Sequence, residues 1–263
     1  MFEPLTLPFM QRAMIGGLMV GFLASYYGPF IVQRRLAFLG SGLAHAAFGG
    51  VALGILLNQQ PLWVAVPFTV AVALAIVWVR ERSNLASDTT IGIFFAVSMA
   101  LGIIFLSRSD DYSSEAFTYL FGSLLAVTTA DLWATAAVVL ATLLTFPLWK
   151  SWAYASFDRS LARADHIPTV RHDYYLVVAV AVVVVVSIKV AGIVMIAAFL
   201  VMPAAAARVL TRTFASMSVV SIVIGMTTVV LGLYVSYYAD LPSGPAIILT
   251  QAAVLCAAVA IRR

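Results

Sequence analysis

The sequence predicts an all-α fold, a polytopic membrane protein of 8–9 transmembrane helices, and three observations lead there. Of its 263 residues, 63% are hydrophobic and only 10% are charged, with a mean hydropathy of +1.05. A soluble domain is about a quarter charged, so this composition cannot build a water-facing surface. The charges are confined to short intervals, leaving uncharged runs at 13–33, 36–79, 89–107, 116–130, 132–149, 174–188, 190–207, 213–239 and 241–261. Most of these match or exceed the roughly 20 residues that cross a ~30 Å hydrocarbon core. Continuous helices pair every backbone polar group internally. A transmembrane barrel would instead need short alternating segments, and none appear.

The first span covers about 13–32, where Gly16, Gly17 and Gly21 let a neighbouring helix backbone approach closely. Its apolar run is preceded by Glu3 and Arg12 rather than by a basic leader, so it reads as a span and not as a signal peptide. Arg34 and Arg35 close it, and the long run that follows splits at Asn58-Gln59-Gln60-Pro61 into spans near 38–57 and 62–79. Arg80, Glu81, Arg82 and Asp88 connect to a span at 89–107 that ends at Arg108, Asp110, Asp111 and Glu115. The stretch 116–130 is open to three readings: a re-entrant piece, a helix lying on the bundle, or a tilted crossing. A fifth span lies near 132–149, and the polar interval 150–173 follows, broken by Pro168 and read as a cytoplasmic surface segment.

The run 174–188 is dominated by valine, yet hydrocarbon surroundings favour a helix over the strand its propensity suggests. Lys189 and Gly192 mark a tight turn into a span near 191–206, and two more spans cover 217–235 and 245–261. The net charge of +4 orients helices and does not point to nucleic acid. Counting positive residues puts Arg34/Arg35, Arg80/Arg82, the 150–171 interval, Arg208/Arg212 and Arg262/Arg263 in the cytoplasm, with Asp110, Asp111, Glu115 and Asp240 outside. Nine crossings with an external N-terminal end follow if 116–130 does not cross. Eight follow, with that end flipped, if one span is only half inserted. The whole chain, 1–263, reads as one transmembrane domain.

Ionisable groups at membrane depth are costly and ask for a reason. His45 stands ten residues after Arg35, roughly 15 Å along a helix and so near mid-membrane. Ser41 shares its helix face. The neutral imidazole is either a transient contact for a transition metal or a buried partner of a neighbouring helix. His166 and His172 belong to the polar interval and read as surface groups. Cys256, the one cysteine, reads as a small packed hydrophobe and excludes an internal disulfide. The spans hold no CxxC, HExxH or paired carboxylates, which argues against a structural metal site and suits a conduit that releases what it takes up. No catalytic constellation is present, and with no GK[ST] phosphate loop the chain does not itself hydrolyse ATP by that route.

Five segments in order resemble the permease subunits of metal-ion ABC importers, the ABC-3 family, and most of all its zinc-importer members. They are Val32-Gln33-Arg34-Arg35-Leu36-Ala37-Phe38-Leu39-Gly40 running into Leu43-Ala44-His45; Asp88-Thr89-Thr90-Ile91-Gly92-Ile93; Tyr119-Leu120-Phe121-Gly122-Ser123-Leu124-Leu125; Lys189-Val190-Ala191-Gly192-Ile193 joined to Met202-Pro203-Ala204-Ala205-Ala206-Ala207-Arg208; and Pro242-Ser243-Gly244-Pro245. The resemblance implies a type II-like importer permease in the inner (plasma) membrane. Its partners would be a second copy of itself, two cytoplasmic ATPase subunits that use ATP, and an extracytoplasmic metal-binding protein. Its cargo would be zinc or manganese, with no tightly bound cofactor. It also implies that His45 and Ser41 line the transport path, that 207–217 is the segment coupling to the ATPase through Pro203, Arg208 and Arg212, and that Phe157–Ala162 supports docking. Many relatives carry aspartate where this chain has Ser41, a weaker divalent-metal ligand. Asp110, Asp111, Glu115 and Asp240 are candidate external contacts for cations or the binding protein. The rival readings are an ion-coupled secondary transporter, which would want a two-fold repeat that is not visible, and a non-transporting membrane assembly subunit.

Overall fold

A computed structural model describes residues 7–83, 85–109, 119–120, 122, 127–193 and 195–262. Helix α1 (Pro8–Gln33) is followed by α2 (Ala37–Leu56), α3 (Pro61–Ser83), α4 (Ser87–Ser107) and α5 (Thr129–Leu144). A 3-10 turn, Phe146–Leu148, leads into the short α6 (Trp149–Phe157) and α7 (Arg159–Ala164). Then come α8 (Thr169–Ala191), α9 (Ile196–Leu210), α10 (Phe214–Ala239) and α11 (Ser243–Ile261). The described residues contain no strand, and the valine run lies inside α8, where lipid and protein neighbours override β propensity.

Contacts between helix ends sort the bundle into two faces. Arg34 after α1 bonds Asp173 in the first turns of α8, and Arg80 at the end of α3 reaches the same carboxylate. Phe214 at the start of α10 packs its ring on Phe30, Trp149 and Phe157. Arg208 near the end of α9 reaches the Val32 carbonyl, and Arg262 after α11 reaches the Arg208 carbonyl. All these groups therefore share one end, which by its arginines is the cytoplasmic one. At the opposite end Lys189 of α8 pairs with Asp131 of α5. Because α4 runs outward and α5 starts at the outer end, residues 108 and 131 lie on the same side. By the same reasoning the N-terminal end of α1 is external.

Among the described residues seven helices are long and apolar enough to cross alone, and the pair Thr129–Leu144 with Phe146–Phe157, bent by 42°, supplies an eighth. The 15-residue α9 is about 22 Å long against about 34 Å for α8. It returns to the cytoplasmic end after α8 has ended at Gly192.

The inner layer is α1, α2 and α8; windows of α1 and α2 are 72% buried, against 22% for α4, which lies on the outside. Close approach of α1 to α9 requires Gly28, where a Cβ would overlap the Leu200 carbonyl oxygen. Pro29 within α1 cannot donate to the Ser25 carbonyl, and Ser221 of α10 supplies the missing hydrogen bond at 3.0 Å.

Several expectations are amended. The fifth span ends at Leu144 and bends, because Pro147 sits in the turn that follows. The polar interval is two short helices plus the first turn of α8, and His172 and Asp173 are buried within that turn rather than on the surface. Cys256 faces outward from α11 instead of packing inside. The segment 207–217 takes in the end of α9 at Leu210 and the start of α10 after Thr213, which closes a capping box with Ser216.

Candidate translocation site

His45 is the ninth residue of the 20-residue α2, at mid-depth of the bundle, and is half-buried. Its Nδ1 lies 2.9 Å from the backbone carbonyl oxygen of Ser41. A carbonyl only accepts, so in the neutral ring Nδ1 carries the proton and Nε2 keeps its lone pair. That is the arrangement of a metal-ligating histidine, one nitrogen oriented by a backbone oxygen and the other free to coordinate. The ring is steadied by Phe95 of α4, centroids 4.3 Å apart, and Phe95 in turn contacts Phe38 about two turns earlier on α2. Ser41 thus contributes its main-chain oxygen as the orienting group. Gly42, facing Ile91 of α4, keeps α2 and α4 close behind the ring.

No group of three or more His, Cys, Asp or Glu side chains among the described residues could hold a metal ion. Among the described residues His45 therefore belongs to no closed ligand cluster, which suits passing contact better than retention.

The other candidates named from the amino-acid pattern lie elsewhere in the bundle. Asp110, Asp111 and Glu115 fall outside the described residues. Asp240 is exposed and ends α10 in a left-handed conformation at φ 52°, a helix cap whose carboxylate is open to solvent. Arg208 and Arg212 are exposed at the cytoplasmic end on either side of the α9–α10 turn. Pro203 is not with them. It is buried inside α9, about 10 Å up the helix from its end. It can shape α9 but cannot touch a cytoplasmic partner. The segment near Phe157 does reach the turn, through the Phe157–Phe214 ring contact at 5.7 Å.

Two charged groupings are not apparent from the sequence. Asp173 gathers Arg34 at 2.5 Å, Arg80 at 2.7 Å and Arg159 at 3.0 Å, while Glu81 holds Arg159 at 2.7 Å. At the other end the Lys189 ammonium donates to Asp131 at 2.8 Å, and the second oxygen of Asp131 accepts from the main-chain N–H and hydroxyl of Thr128. A signal for them exists: each acid ends a long apolar run, where an unpaired charge would be costly. Only the fold shows which arginine or lysine it meets.

The sequence profile of the ABC 3 transport family matches residues 6–262. The chain is 33% identical to the manganese transport system membrane protein MntC of Listeria monocytogenes, over 92% of this chain and 86% of the relative. It is 31% identical to the high-affinity zinc uptake system membrane protein ZnuB of Haemophilus influenzae, over 91% of this chain and 92% of the relative. Among solved structures, PsaBC from Streptococcus pneumoniae in complex with Fab superposes with a TM-score of 0.87 at 33% identity, covering 98% of this chain and 93% of that one.

Proposed function

Because the chain belongs to the ABC 3 transport family, we propose that it is the membrane permease subunit of an ATP-driven importer carrying a divalent transition metal, zinc or manganese, into the cell. The observation that carries this reading is the likeness along nearly the whole chain to relatives named for manganese transport and for zinc uptake. His45 supplies chemistry to match, a mid-span imidazole whose free nitrogen can take an ion and give it up.

A single His45 is too few ligands for a path, and a second copy related by a two-fold axis would supply a second His45. We read the transporting unit as such a homodimer, with two ATPase subunits on the cytoplasmic face and a metal-binding protein delivering the ion outside. ATP binding and hydrolysis in those subunits would switch access between the two faces, and the switch needs states that bind the partners differently. The turn between α9 and α10, with Arg208 and Arg212 exposed on either side, is the proposed coupling contact. Asp240 and the acids at 110, 111 and 115 are proposed to draw cations or the binding protein to the outer mouth. Zinc is placed ahead of manganese on the overall resemblance of the chain and not on its ligand chemistry.

The test is uptake of zinc and manganese by proteoliposomes holding the chain with its membrane partners, ATP inside and metal with its binding protein outside. His45→Ala should lower the uptake rate at least about tenfold, the loss of one metal–imidazole contact worth ~1.4 kcal/mol or more, while dimer assembly stays intact. Arg208→Glu with Arg212→Glu should uncouple ATP hydrolysis from metal delivery in the same vesicles. Uptake without ATP would replace the importer with a secondary transporter. Unchanged uptake in His45→Ala would remove the histidine from the path.

A further inference from the structure

The arginines at the cytoplasmic end do more than hold Asp173. Arg34, Arg35, Arg80 and Arg159, with Asp173 and with Ser87 at the start of α4, line a cavity of about 310 Å³ that opens to the surface. Four guanidinium groups thus line a cavity with one carboxylate, and Glu81, beside it, pairs with Arg159 and Arg80, so the cations still outnumber the carboxylates. Asp173 is nearly inaccessible, and both its oxygens are already engaged by Arg34, Arg80 and Arg159.

The cavity also holds unspent donors. The Nε–H groups of Arg80 and Arg159 are buried with no hydrogen-bond partner. Arg35 is exposed on the rim, its main-chain N–H bonds the Val32 carbonyl, and its guanidinium makes no hydrogen bond or ion pair with any described residue. It is held there by a left-handed backbone at φ 56°, between the end of α1 and the start of α2. No side chain caps the N-terminus of α4, whose first-turn N–H groups lie beside Ser87. Burial pulls the Arg34 guanidinium below its ordinary range against the opposing pull of Asp173, and the cations of Arg80 and Arg159 add to the depression. With Asp173 and Glu81 as their carboxylate partners, the four arginines leave the cluster with excess positive charge.

We propose that this cavity binds a phosphate-type oxyanion at the cytoplasmic face. Planar guanidinium groups at several angles, together with a free helix N-terminus, suit the tetrahedral oxygens of a phosphate mono- or diester. Two sources share that chemistry: the headgroup of an anionic phospholipid, and free inorganic phosphate. The setting favours the headgroup. The cavity sits where α3 and α4, the helices with much of their surface facing outward, reach the cytoplasmic end. Trp78 is exposed nearby on α3 with Arg82 over its ring, the pairing found at headgroup level. Basic groups at this leaflet attract anionic lipid.

The test uses the full chain in nanodiscs of phosphatidylcholine alone, titrated with dioctanoyl phosphatidylglycerol, dioctanoyl phosphatidylcholine or inorganic phosphate. The readout is fluorescence of the buried Trp152, whose carbonyl accepts from Arg34, with the other tryptophans replaced by phenylalanine. Arg35→Asn removes the rim cation and keeps a residue that tolerates the left-handed turn. Arg171→Asn, exposed at the same end outside the cavity, is the charge-matched control. Saturable binding of phosphatidylglycerol, weakened about fivefold or more in Arg35→Asn and unchanged in Arg171→Asn, supports the site and assigns the lipid source. The same pattern with inorganic phosphate assigns the free anion. Equal binding of the two lipids, or equal loss in both variants, overturns the proposal. So does an Arg35→Asn chain that binds anions normally but loses its ATPase partner, which would make the cavity a protein contact. Metal uptake is not the readout, so failure here leaves the importer reading standing.

Discussion

At its cytoplasmic end α8 carries Asp173, on which Arg34 after α1, Arg80 of α3 and Arg159 of α7 converge. At its outer end it carries Lys189, which among the described residues is paired with Asp131 of α5. The first grouping ties four elements together around a carboxylate only 7% exposed. The second joins two helices through an ammonium that is 27% exposed. Just beyond Lys189 the chain leaves the helix at Gly192, φ 80°, and the Ile193 N–H bonds the Tyr119 carbonyl across the gap. One helix is thus pinned at one end and lightly held at the other. Local opening costs least where few buried contacts must be broken. An α8 that moves during transport would pivot on Asp173 and take up the change at 192–195.

The comparison breaks most sharply at Asp173. Asp173→Asn leaves three guanidinium groups at the cytoplasmic end without their shared counter-charge, and removing one partner of a buried ion pair costs about 3–5 kcal/mol. The purified variant should unfold at a clearly lower temperature in mild detergent, and its membrane-inserted yield should fall. A Tm within about a degree of the parent would mean that water already screens the cluster and that the pinned end is not pinned.

Most of the bundle was legible in the sequence, since long apolar runs leave the backbone no choice but helix. The run before Arg34 became α1, the break at Asn58–Pro61 became the α2–α3 turn with Asn58 at φ 52°, and Gly192 ends α8 in the conformation glycine favours. His45 was also legible, because a histidine ten residues from a charged boundary must lie deep. Its tautomer was not, since that depends on the Ser41 carbonyl, a main-chain atom whose use no side-chain pattern records. The partners of Asp173 and Asp131 were illegible for a related reason. Arg34 and Asp173 are separated by 139 positions, and Lys189 and Asp131 by 58. Positive-inside counting places such residues on a face without saying which meet. The polar interval misled because its charges suggested a surface segment throughout, whereas its last residues, His172 and Asp173, are the buried foot of α8.

A middle-sized effect belongs to the lightly held end. Lys189→Met leaves one Asp131 oxygen without its donor while Thr128 keeps the other, so the cost is about 1–2 kcal/mol. The loss should appear locally, as roughly tenfold faster hydrogen exchange of the Ile193 amide, with little change at the Asp173 end. Equal acceleration at both ends would show α8 opening as one unit and would dissolve the contrast.

The smallest effect sharpens how the pinned end is assembled. Asp158 accepts from the Ser160 and Leu161 amides at 2.9 Å each, capping α7, the short helix that carries Arg159 into the cluster. The Ser160 hydroxyl first, and then the Leu161 amide, hold its carboxyl below the usual carboxylate range. A depressed value in the folded protein means that the cap contributes above the unfolded value, near 3.9, and fades as pH falls through the lower folded one. Asp158→Ala should speed exchange of the Ser160 and Leu161 amides slightly, leave the Tm close to the parent, and abolish the acid dependence of that exchange below about pH 4. The Arg159 side chain would then be less well placed while Arg34 and Arg80 still hold Asp173. If fraying of α7 instead lowers the Tm as much as Asp173→Asn does, Arg159 and not the carboxylate is the keystone of that end.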